Sequence, residues 1–452
     1  MIRSKSSAKI FGWPLFFIIF AGLIVPQGIT QSSLAQEINS RVDREYESLF
    51  QLYRHLHANP ELSFQEAKTA ERIQKELESA GFQVTTGIGG YGLVGVLKNG
   101  DGPVLMIRTD LDGLPVTEQT GLEYASRIKI RTEQGSEVGV MHACGHDIHM
   151  TSFIGTARLM SQFREHWRGT LLMIGQPAEE RGGGAKAMLE DGLFQKFPRP
   201  GHVLAMHDDA SLETGKVGIV EGNALAGVDS VDLTIRGVSG HGAYPQATKD
   251  PIVLSAQIIL ALQTIVSREI PPIEPAVLTV GSIHGGTKHN IIPDEVRLQL
   301  TVRYYSDSVR ATILEGIERI SKNLALAAGV PPDRLPVMKV SESIPPTIND
   351  LRLARQIQIV MESMLGKENV ANHGPVMGGE DFGFFGRTAD KIPICIFWLG
   401  AVNKSRYLEA QKPGSPPLPS LHSSLFAPDP EPTIKTGVKA MTAAALALLE
   451  KQ

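Results

Sequence analysis

The most chemically informative stretch of the chain is residues 141–147, Met-His-Ala-Cys-Gly-His-Asp, which two adjacent glutamates follow further along. Cys144 and His146 lie two positions apart in a glycine-containing loop, and Glu179 and Glu180 come after Gln-Pro-Ala. A thiolate, an imidazole and paired carboxylates hold borderline divalent cations and help drive water onto a carbonyl carbon. The pattern therefore predicts a hydrolytic site with two metal ions.

A purely structural role explains the predicted ligand residues poorly. Cys144, His146 and Glu180 would be unpaired polar groups at a considerable cost if they were buried without a metal. His142 and His149 flank the same loop. We interpret these two histidines as orienting or structural residues, because such partners commonly surround metal ligands.

The predicted strands are expected to bring this chemistry together. They cover residues 93–97, 104–108, 170–175 and 202–206. The polar residues that follow them are Asp110, Asp112, Glu179, Glu180 and His207, and the Cys144 loop opens a helix that begins near Ile148. In α/β sheets ligands gather outside the carboxyl ends of the strands. We therefore expect these side chains to converge on one rim.

Two helices precede this sheet. The first has apolar residues at helical spacing and ends before Asn59 and Pro60. Ser63 and Glu66 have the spacing of a capping box for the second helix, which ends at Gly81.

A second domain is expected within the chain, since 452 residues exceed what one hydrophobic core usually supports. Residues 227–341 alternate as β-α-β-β-α-β, the ferredoxin-like order, and predict an inserted lid or dimerisation domain. The α/β catalytic domain would then consist of residues 36–226 and 342–452.

The start of the chain has the pattern of a signal peptide over residues 1–35. Arg3, Lys5 and Lys9 precede an apolar run at residues 10–25, and small residues follow near Ala35. We expect a secreted or periplasmic protein with no stable membrane span after cleavage. An uncleaved anchor is the alternative, but Pro14 interrupts the run, which is shorter than the roughly 20 residues that a span needs.

The composition points to a globular protein with a small-molecule partner. Apolar residues make up 42% and charged residues 20%, and a net charge of -4 without long runs of one sign gives no support to nucleic-acid binding. The two cysteines exclude a disulfide framework. Cys395 lies in an apolar run and is interpreted as a buried strand thiol.

Seven motifs occur in order along residues 41–450: HLHANPELSF at 55–64, RTDLDGLP at 108–115, CGHD at 144–147, EE at 179–180, GHGAYP at 240–245, NIIPD at 290–294 and GEDF at 379–382. In these motifs the chain resembles the M20 peptidase group. It is most similar to the amidohydrolase branch, which includes hippurate hydrolase and the plant auxin-conjugate hydrolases.

The resemblance implies two metal ions in each subunit, with the cysteine as the shared ligand. The implied ligands are Cys144, His146, Glu180, His207 and His422. A thiolate and three imidazoles favour zinc, manganese, cobalt or nickel over magnesium or calcium. We expect manganese or zinc.

The remaining roles also follow from the resemblance. Glu179 would be the general base that later returns its proton to the leaving amine, and Asp112 would orient the metal site. His241, in the insert, would reach the active site of a partner subunit and donate to the oxyanion. Asn290 and Arg303 would hold the substrate's α-carboxylate. Alternatively, Arg303 is a surface residue of an alternating strand and Asn290 caps a turn.

Two segments depart from the pattern of this branch. Asp208, Asp209 and Ala210 follow His207, where relatives carry an aromatic residue and a proline, and Gly379 replaces a serine or alanine. For this reason the resemblance does not predict that the substrate carries the acyl group of hippurate or of auxin conjugates.

The sequence thus predicts an exported amidohydrolase that cleaves N-acyl or N-aroyl amino acids and forms a homodimer through the insert. A dipeptidase or carboxypeptidase on the same metals is the nearest alternative, with Asp208 and Asp209 as candidate partners for a substrate ammonium. A catalytically silent binding protein on the hydrolase fold is a third hypothesis. The complete set of a base and five ligands argues against it.

Overall fold

The computed structural model describes Met1, residues 27–131 and residues 135–450. The predicted apolar run at residues 10–25 lies outside the described residues, and the predicted cleavage site at Ala35 falls within the first helix. The helices are α1 Gln27–Ala58, α2 Ala67–Ser79, α3 His146–Gln162, α4 Gly184–Glu190, α5 Leu193–Lys196, α6 Pro251–Thr264, α7 Asp307–Ala327, α8 Leu351–Leu365, α9 Gly383–Gly386, α10 Lys404–Ala410 and α11 Pro430–Leu448. The strands are β1 Gln83–Ile88, β2 Gly92–Asn99, β3 Val104–Asp110, β4 Lys129–Arg131, β5 Glu137–Gly139, β6 Gly169–Gln176, β7 His202–Glu213, β8 Val217–Ile219, β9 Gly222–Leu225, β10 Gly227–Arg236, β11 Gly240–His241, β12 Ala276–Gly285, β13 Ile291–Ile292, β14 Glu295–Tyr304, β15 Val337–Ile344, β16 Thr347–Asn349, β17 Val370–Asn372 and β18 Ile394–Val402.

The catalytic domain is built on an eight-stranded sheet in the order β1-β2-β6-β3-β7-β18-β8-β17. Strands β6, β3, β7 and β18 are parallel to one another, so their carboxyl ends lie on the same edge. The predicted α/β class is confirmed. Parallel strands at the centre of a sheet are buried on both faces, which explains why the sequences of these strands are continuously apolar.

Helices cover both faces of this sheet. One face packs on α1, α3, α8 and α11 through a core that includes Leu49, Phe153 and Met441. The other face packs on the shorter helices through a core that includes Met188 and Phe385. The two layers fix the rim on which the functional side chains lie.

The insert forms its own four-stranded antiparallel sheet in the order β12-β14-β10-β15, with α6 and α7 on one face. This is the ferredoxin-like arrangement, and the sheet runs from Gly227 to Ile344. Within the described part of the chain, the helical stretch Pro251–Glu269 alone is long and apolar enough to cross a membrane, and 33% of its apolar window is buried. Its buried residues pack on the insert's sheet.

Two local predictions were wrong. Strand β7 does not end at residue 206 but continues to Glu213, because β18 pairs with it as far as Val402. The capping box is also absent: Ser63 donates to Asp112, and the side chain of Glu66 makes no cap bond to α2. Thr69 N donates instead to Glu61 Oε2 at 2.8 Å, which satisfies an amide at the start of that helix.

Candidate metal centre

The polar residues predicted to meet at one rim do so. Strand β3 ends at Asp110, and β6 ends at Gln176, which two residues separate from a short 3-10 turn over Glu179–Arg181. Ala178 enters this turn with φ 50°, a left-handed conformation that non-glycine residues rarely adopt. The turn brings Glu179 and Glu180 to the predicted ligand His146, and the donor atoms of these three residues lie within 4.8 Å of one another.

The loop before α3 depends on a glycine. Gly145 is the N-cap of α3 with φ 83°, and a Cβ there would lie 2.4 Å from Asp208 Oδ2. Both the backbone conformation and the close approach therefore require glycine. This allows Cys144 and His146 to reach the rim from one short loop.

The predicted ligands form two overlapping groups. The donor atoms of Cys144, His146 and His207 lie within 4.8 Å of one another, and so do those of Cys144, Glu180 and His422. The Sγ atom of Cys144 lies 3.5 Å from His207 Nε2, and His422 Nε2 lies 3.6 Å from Glu180 Oε2. The sulfur belongs to both groups, as expected of a shared ligand.

These residues fit a pair of transition-metal ions. His146 Nε2 and Glu180 Oε1 are buried without a hydrogen-bond partner among the described residues. Burial and the carboxylate of Glu180 hold the pKa of Cys144 well above its usual range. A bound cation reverses that preference, because a coordinating thiol is deprotonated. The sulfur–nitrogen–oxygen donor set suits a borderline transition-metal ion better than magnesium or calcium.

His422 reaches the centre from the loop before α11. Its backbone has φ 65°, and its amide donates to Ala143 O at 2.8 Å, which ties this loop to the one that carries Cys144. Its side chain is 55% exposed, so it lies at the open side of the centre.

Glu179 lies deeper than Glu180. It is buried, and its carboxylate lies within 4.8 Å of those of Glu380 and Asp381. Burial and the negative charges of Glu380 and Glu180 hold the pKa of Glu179 well above its usual range. Such a carboxyl can keep a proton near neutral pH, as a residue that alternates between base and acid requires.

Asp112 contacts both the Glu179–Glu180 turn and the predicted ligand His146. Its carboxylate accepts the amides of Glu179 at 3.2 Å and Glu180 at 3.1 Å, and its carbonyl oxygen is 2.8 Å from His146 Nδ1. This bond directs the free Nε2 of His146 to the centre.

The two flanking histidines differ. His149 Nδ1 lies 2.8 Å from Asp110 Oδ1, and its Nε2 accepts the amide of Asp208. His142 is buried, and neither of its ring nitrogens has a partner in the described part of the chain. Burial lowers the pKa of His142 to about 4, so the ring is neutral.

Sequence reasoning assigned no role to Arg108, which the structure places at the centre of a buried ionic network. Its guanidinium contacts Asp110 at 2.7 Å, Glu380 at 2.9 Å and Asp381 at 3.3 Å. Its Nε donates to Gln176 Oε1 at 2.9 Å. The network joins the ends of β3 and β6 to the GEDF motif beside Glu179. An arginine inside an otherwise apolar strand was the signal that could have revealed it, because a buried charge needs partners.

A second buried ionic group lies behind the metal loop. His57 Nδ1 lies 2.6 Å from Asp147 Oδ2, and His57 Nε2 lies 3.0 Å from Glu118 Oε1. Burial opposes the charged ring, but the two carboxylates outweigh it and raise the pKa of His57 to about 10. His57 is therefore structural, consistent with its exclusion as a ligand.

The three predicted residues of the insert are not in the metal centre of their own chain. His241 is exposed, with its Nδ1 accepting the amide of Ala243. Asn290 is also exposed, and its carbonyl accepts the amide of Gly242, so it supports the His241 loop. Arg303 is partly buried and donates to Met377 O at 3.4 Å, just before the GEDF motif.

Comparison with known proteins identifies the family of this chain. Residues 106–413 match the family described as peptidase family M20/M25/M40. The chain is 34% identical over 372 residues to IAA-amino acid hydrolase ILR1-like 2 of Arabidopsis thaliana, covering 81% of this chain and 80% of that protein. It is 37% identical over 341 residues to hippurate hydrolase of Campylobacter jejuni, covering 74% of this chain and 84% of that one.

A solved structure of this family has a similar fold. A Bacillus subtilis protein, described as a dinuclear metal binding peptidase from the M20 family, superposes with a TM-score of 0.72 at 29% identity, covering 90% of this chain and 99% of that chain. The chain therefore belongs to peptidase family M20/M25/M40, and it is a hydrolase of the amidohydrolase branch that its motifs predict.

Proposed function

We propose that this protein hydrolyses the amide bond of N-acyl or N-aroyl amino acids to a carboxylic acid and a free amino acid. The observation that carries the proposal is the pair of donor groups sharing the Cys144 sulfur, with the buried carboxyl of Glu179 beside them. Relatives named for IAA-amino acid and hippurate hydrolysis support this substrate class.

The proposed ligands are Cys144, His146, Glu180, His207 and His422, holding two divalent ions, manganese or zinc. When bound, the two cations would lower the pKa of water and polarise the scissile carbonyl. The pKa of His207 is lowered to about 3 by burial and by His149, so its ring is neutral and able to bind a metal.

Glu179 would move the proton. Its carboxylate accepts a proton from the attacking water as the oxygen bonds to the amide carbon, and the carboxylic acid then gives that proton to the leaving nitrogen as the C–N bond breaks. Glu380 and Asp381 lie within ion-pair distance of Arg108, so Glu179 is the one carboxyl of these three that is not paired with that guanidinium.

Arg303 would bind the α-carboxylate of the substrate. Among the described residues no carboxylate lies within 4.0 Å of its guanidinium, although burial lowers its pKa. A partly buried cation without an acidic partner favours an anionic ligand. Asn290 is proposed to bind the same carboxylate, and its carbonyl also accepts a backbone hydrogen bond from the His241 loop.

The two aspartates after His207 weaken the peptidase alternative. Asp208 is completely buried, and Asp209 lies 2.9 Å from His373 Nε2 in an ion pair. Neither offers an open carboxylate for a substrate ammonium, so the structure favours acylated substrates over dipeptides. The silent-binder hypothesis is set aside, because the curated relatives are hydrolases.

We also propose a homodimer formed through the insert, with His241 acting in the partner's active site. Helix α6 leaves Val253 at 56% and Leu260 at 74% exposure, and β12 is an edge strand of its sheet that leaves Ile283 exposed. An apolar helix face beside an open strand edge suits a second copy of the same surface.

Export remains part of the proposal. The basic start, the apolar run at residues 10–25 and the small residues near Ala35 support cleavage and a secreted or periplasmic enzyme. Mass spectrometry of the protein recovered from its producing cell would show a chain starting near Gln36. A chain starting at Met1 would support the uncleaved anchor instead.

The substrate proposal is tested by incubating the metal-loaded protein with a panel of N-acyl amino acids and dipeptides, with product detection by mass spectrometry. Release of amino acids from the acylated substrates, abolished by a chelator, is the expected result. Cleavage of dipeptides alone would support the peptidase alternative.

A further inference from the structure

The segment that was expected to cap α2 is directed towards the metal centre instead. Glu61, not Glu66, accepts the amide and hydroxyl of Thr69 at the start of that helix, at 2.8 and 2.9 Å. The carboxylate of Glu66 therefore makes no capping hydrogen bond to α2, and Glu66 is completely buried.

One oxygen of Glu66 joins two distant turns. Glu66 Oε1 accepts the amide of Phe64 at 2.8 Å and the amide of Ala178 at 2.8 Å. Phe64 has φ 63° and Ala178 has φ 50°. Both residues are thus held in the left-handed region, which their side chains disfavour.

Ala178 immediately precedes the proposed base. The amides of Glu179 and Glu180 donate to Asp112, and the amide of Ala178 donates to Glu66. Three consecutive amides of this turn are therefore bound by two carboxylates. Ser63 donates to Asp112 Oδ2 at 2.6 Å, so the same segment that carries Glu66 also supports the second carboxylate.

The arrangement of Glu66 and Ala178 is energetically unfavourable for the fold alone. The second oxygen of Glu66, Oε2, is buried with no hydrogen-bond partner in the described part of the chain. An unsatisfied buried carboxylate oxygen and a strained alanine are features that cluster at functional sites.

We propose that Glu66 is a positioning residue for the proposed reaction, holding the Ala178 amide so that Glu179 and Glu180 project from a fixed turn. Glu66 touches neither the ligands nor the substrate; it acts through the backbone of Ala178. This inference rests on the proposed function, and its metal-binding consequence does not require that the substrate be known.

The test compares three variants with the wild-type protein. Glu66→Leu removes the acceptor, whereas Glu66→Gln keeps a carbonyl oxygen for both amides. Burial raises the pKa of Glu66 to about 7, so a neutral glutamine resembles its protonated form. Glu61→Ala is the structural control, because it loosens the start of α2 without contact to the Ala178 turn.

We expect Glu66→Leu to lower kcat at least about tenfold at saturating metal with KM changed less than about twofold, since small misplacement of a catalytic group is costly. Its Co²⁺ affinity, followed by thiolate–Co²⁺ absorbance, should weaken because Glu180 shares the turn. Glu66→Gln should stay within about threefold of wild type in both readouts, and Glu61→Ala should lower only the melting temperature.

A rescue variant keeps the proposal testable if Glu66→Leu proves unstable. Adding Ala178→Gly to Glu66→Leu should restore part of the lost kcat and Co²⁺ affinity, because glycine adopts φ near 50° without a hydrogen bond from its amide to Glu66. Wild-type kcat and Co²⁺ affinity in Glu66→Leu would overturn the proposal, as would a loss in Glu66→Gln equal to that in Glu66→Leu. If the wild type turned over no acylated amino acid, the proposed function would fail while the Co²⁺ titrations still decided the role of Glu66.

Discussion

Cys144 Sγ lies 3.5 Å from His207 Nε2, and the same sulfur also groups with Glu180 and His422. The thiol is therefore common to both of these donor groups. Removing it should affect two ions, whereas removing His422 should affect one.

Metal stoichiometry tests this asymmetry. By elemental mass spectrometry after dialysis, we expect about two ions per wild-type chain, about one in His422→Ala and fewer than one in Cys144→Ser. The control is Cys395→Ala, which changes the other cysteine, buried in β18 away from the donor groups, and should retain both ions. Two ions in Cys144→Ser would contradict the shared-ligand assignment.

The Arg108 network should be essential for stability. Arg108→Met would leave the carboxylates of Asp110, Glu380 and Asp381 without their buried cation, and losing one partner of such a network costs about 3–5 kcal/mol. Urea unfolding of the metal-free protein measures this loss. Arg297→Met, which breaks an exposed pair with Glu295, should change the free energy of unfolding by less than about 1 kcal/mol. Equal effects of the two substitutions would contradict the account.

His57 predicts a specific dependence of stability on pH. Its pKa rises from 6.5 to about 10 on folding, so the folded protein holds more protons than the unfolded chain between these values. The stabilisation is complete below about pH 6.5 and is lost as the pH rises through about 10. In the metal-free protein, His57→Gln should be less stable at pH 6 by about 3 kcal/mol, and its stability should approach that of the wild type towards pH 10. Parallel curves from pH 6 to 10 would refute this assignment.

Arg303 should discriminate substrates by their α-carboxylate. Arg303→Met is expected to lower kcat/KM for an N-acyl amino acid by about 10- to 100-fold, the value of a charge-assisted hydrogen bond or two. For the same substrate with its carboxylate converted to an amide, wild type and variant should be similar. An equal loss on both substrates would mean that Arg303 supports the fold and does not bind the carboxylate.

The trans role of His241 can be tested by mixing two inactive dimers. In a heterodimer of Glu179→Gln and His241→Ala subunits, one of the two sites has both an intact base and an intact partner histidine. Random exchange should therefore restore about a quarter of wild-type activity. No restoration, despite exchange seen by native mass spectrometry, would show that His241 acts within its own chain or not at all. Leu260→Asp, on the exposed face of α6, should yield a monomer by light scattering.

The sequence predicted the parts of the centre that follow local rules. Glu180 follows the end of β6, and His207 lies within β7, just beyond the last pair of that strand with β3. Gly145 lets the Cys144 loop open a helix. The role of Arg108 was not predictable from spacing, because its partner Glu380 is 272 positions away. Glu66 was assigned wrongly because the local signature of a capping box is also compatible with a bond to Ala178, 112 positions away.

The most direct test of the central claim is to compare the wild type with Glu179→Gln, each spanning residues 36–452 and loaded with manganese or zinc, for release of amino acid from N-acyl amino acids. We predict equal metal content in the two proteins, with stoichiometric acid and amino acid from the wild type and a rate about 10²- to 10⁴-fold lower in the variant. A Glu179→Gln protein that carries two ions and hydrolyses these substrates at the wild-type rate would contradict the account.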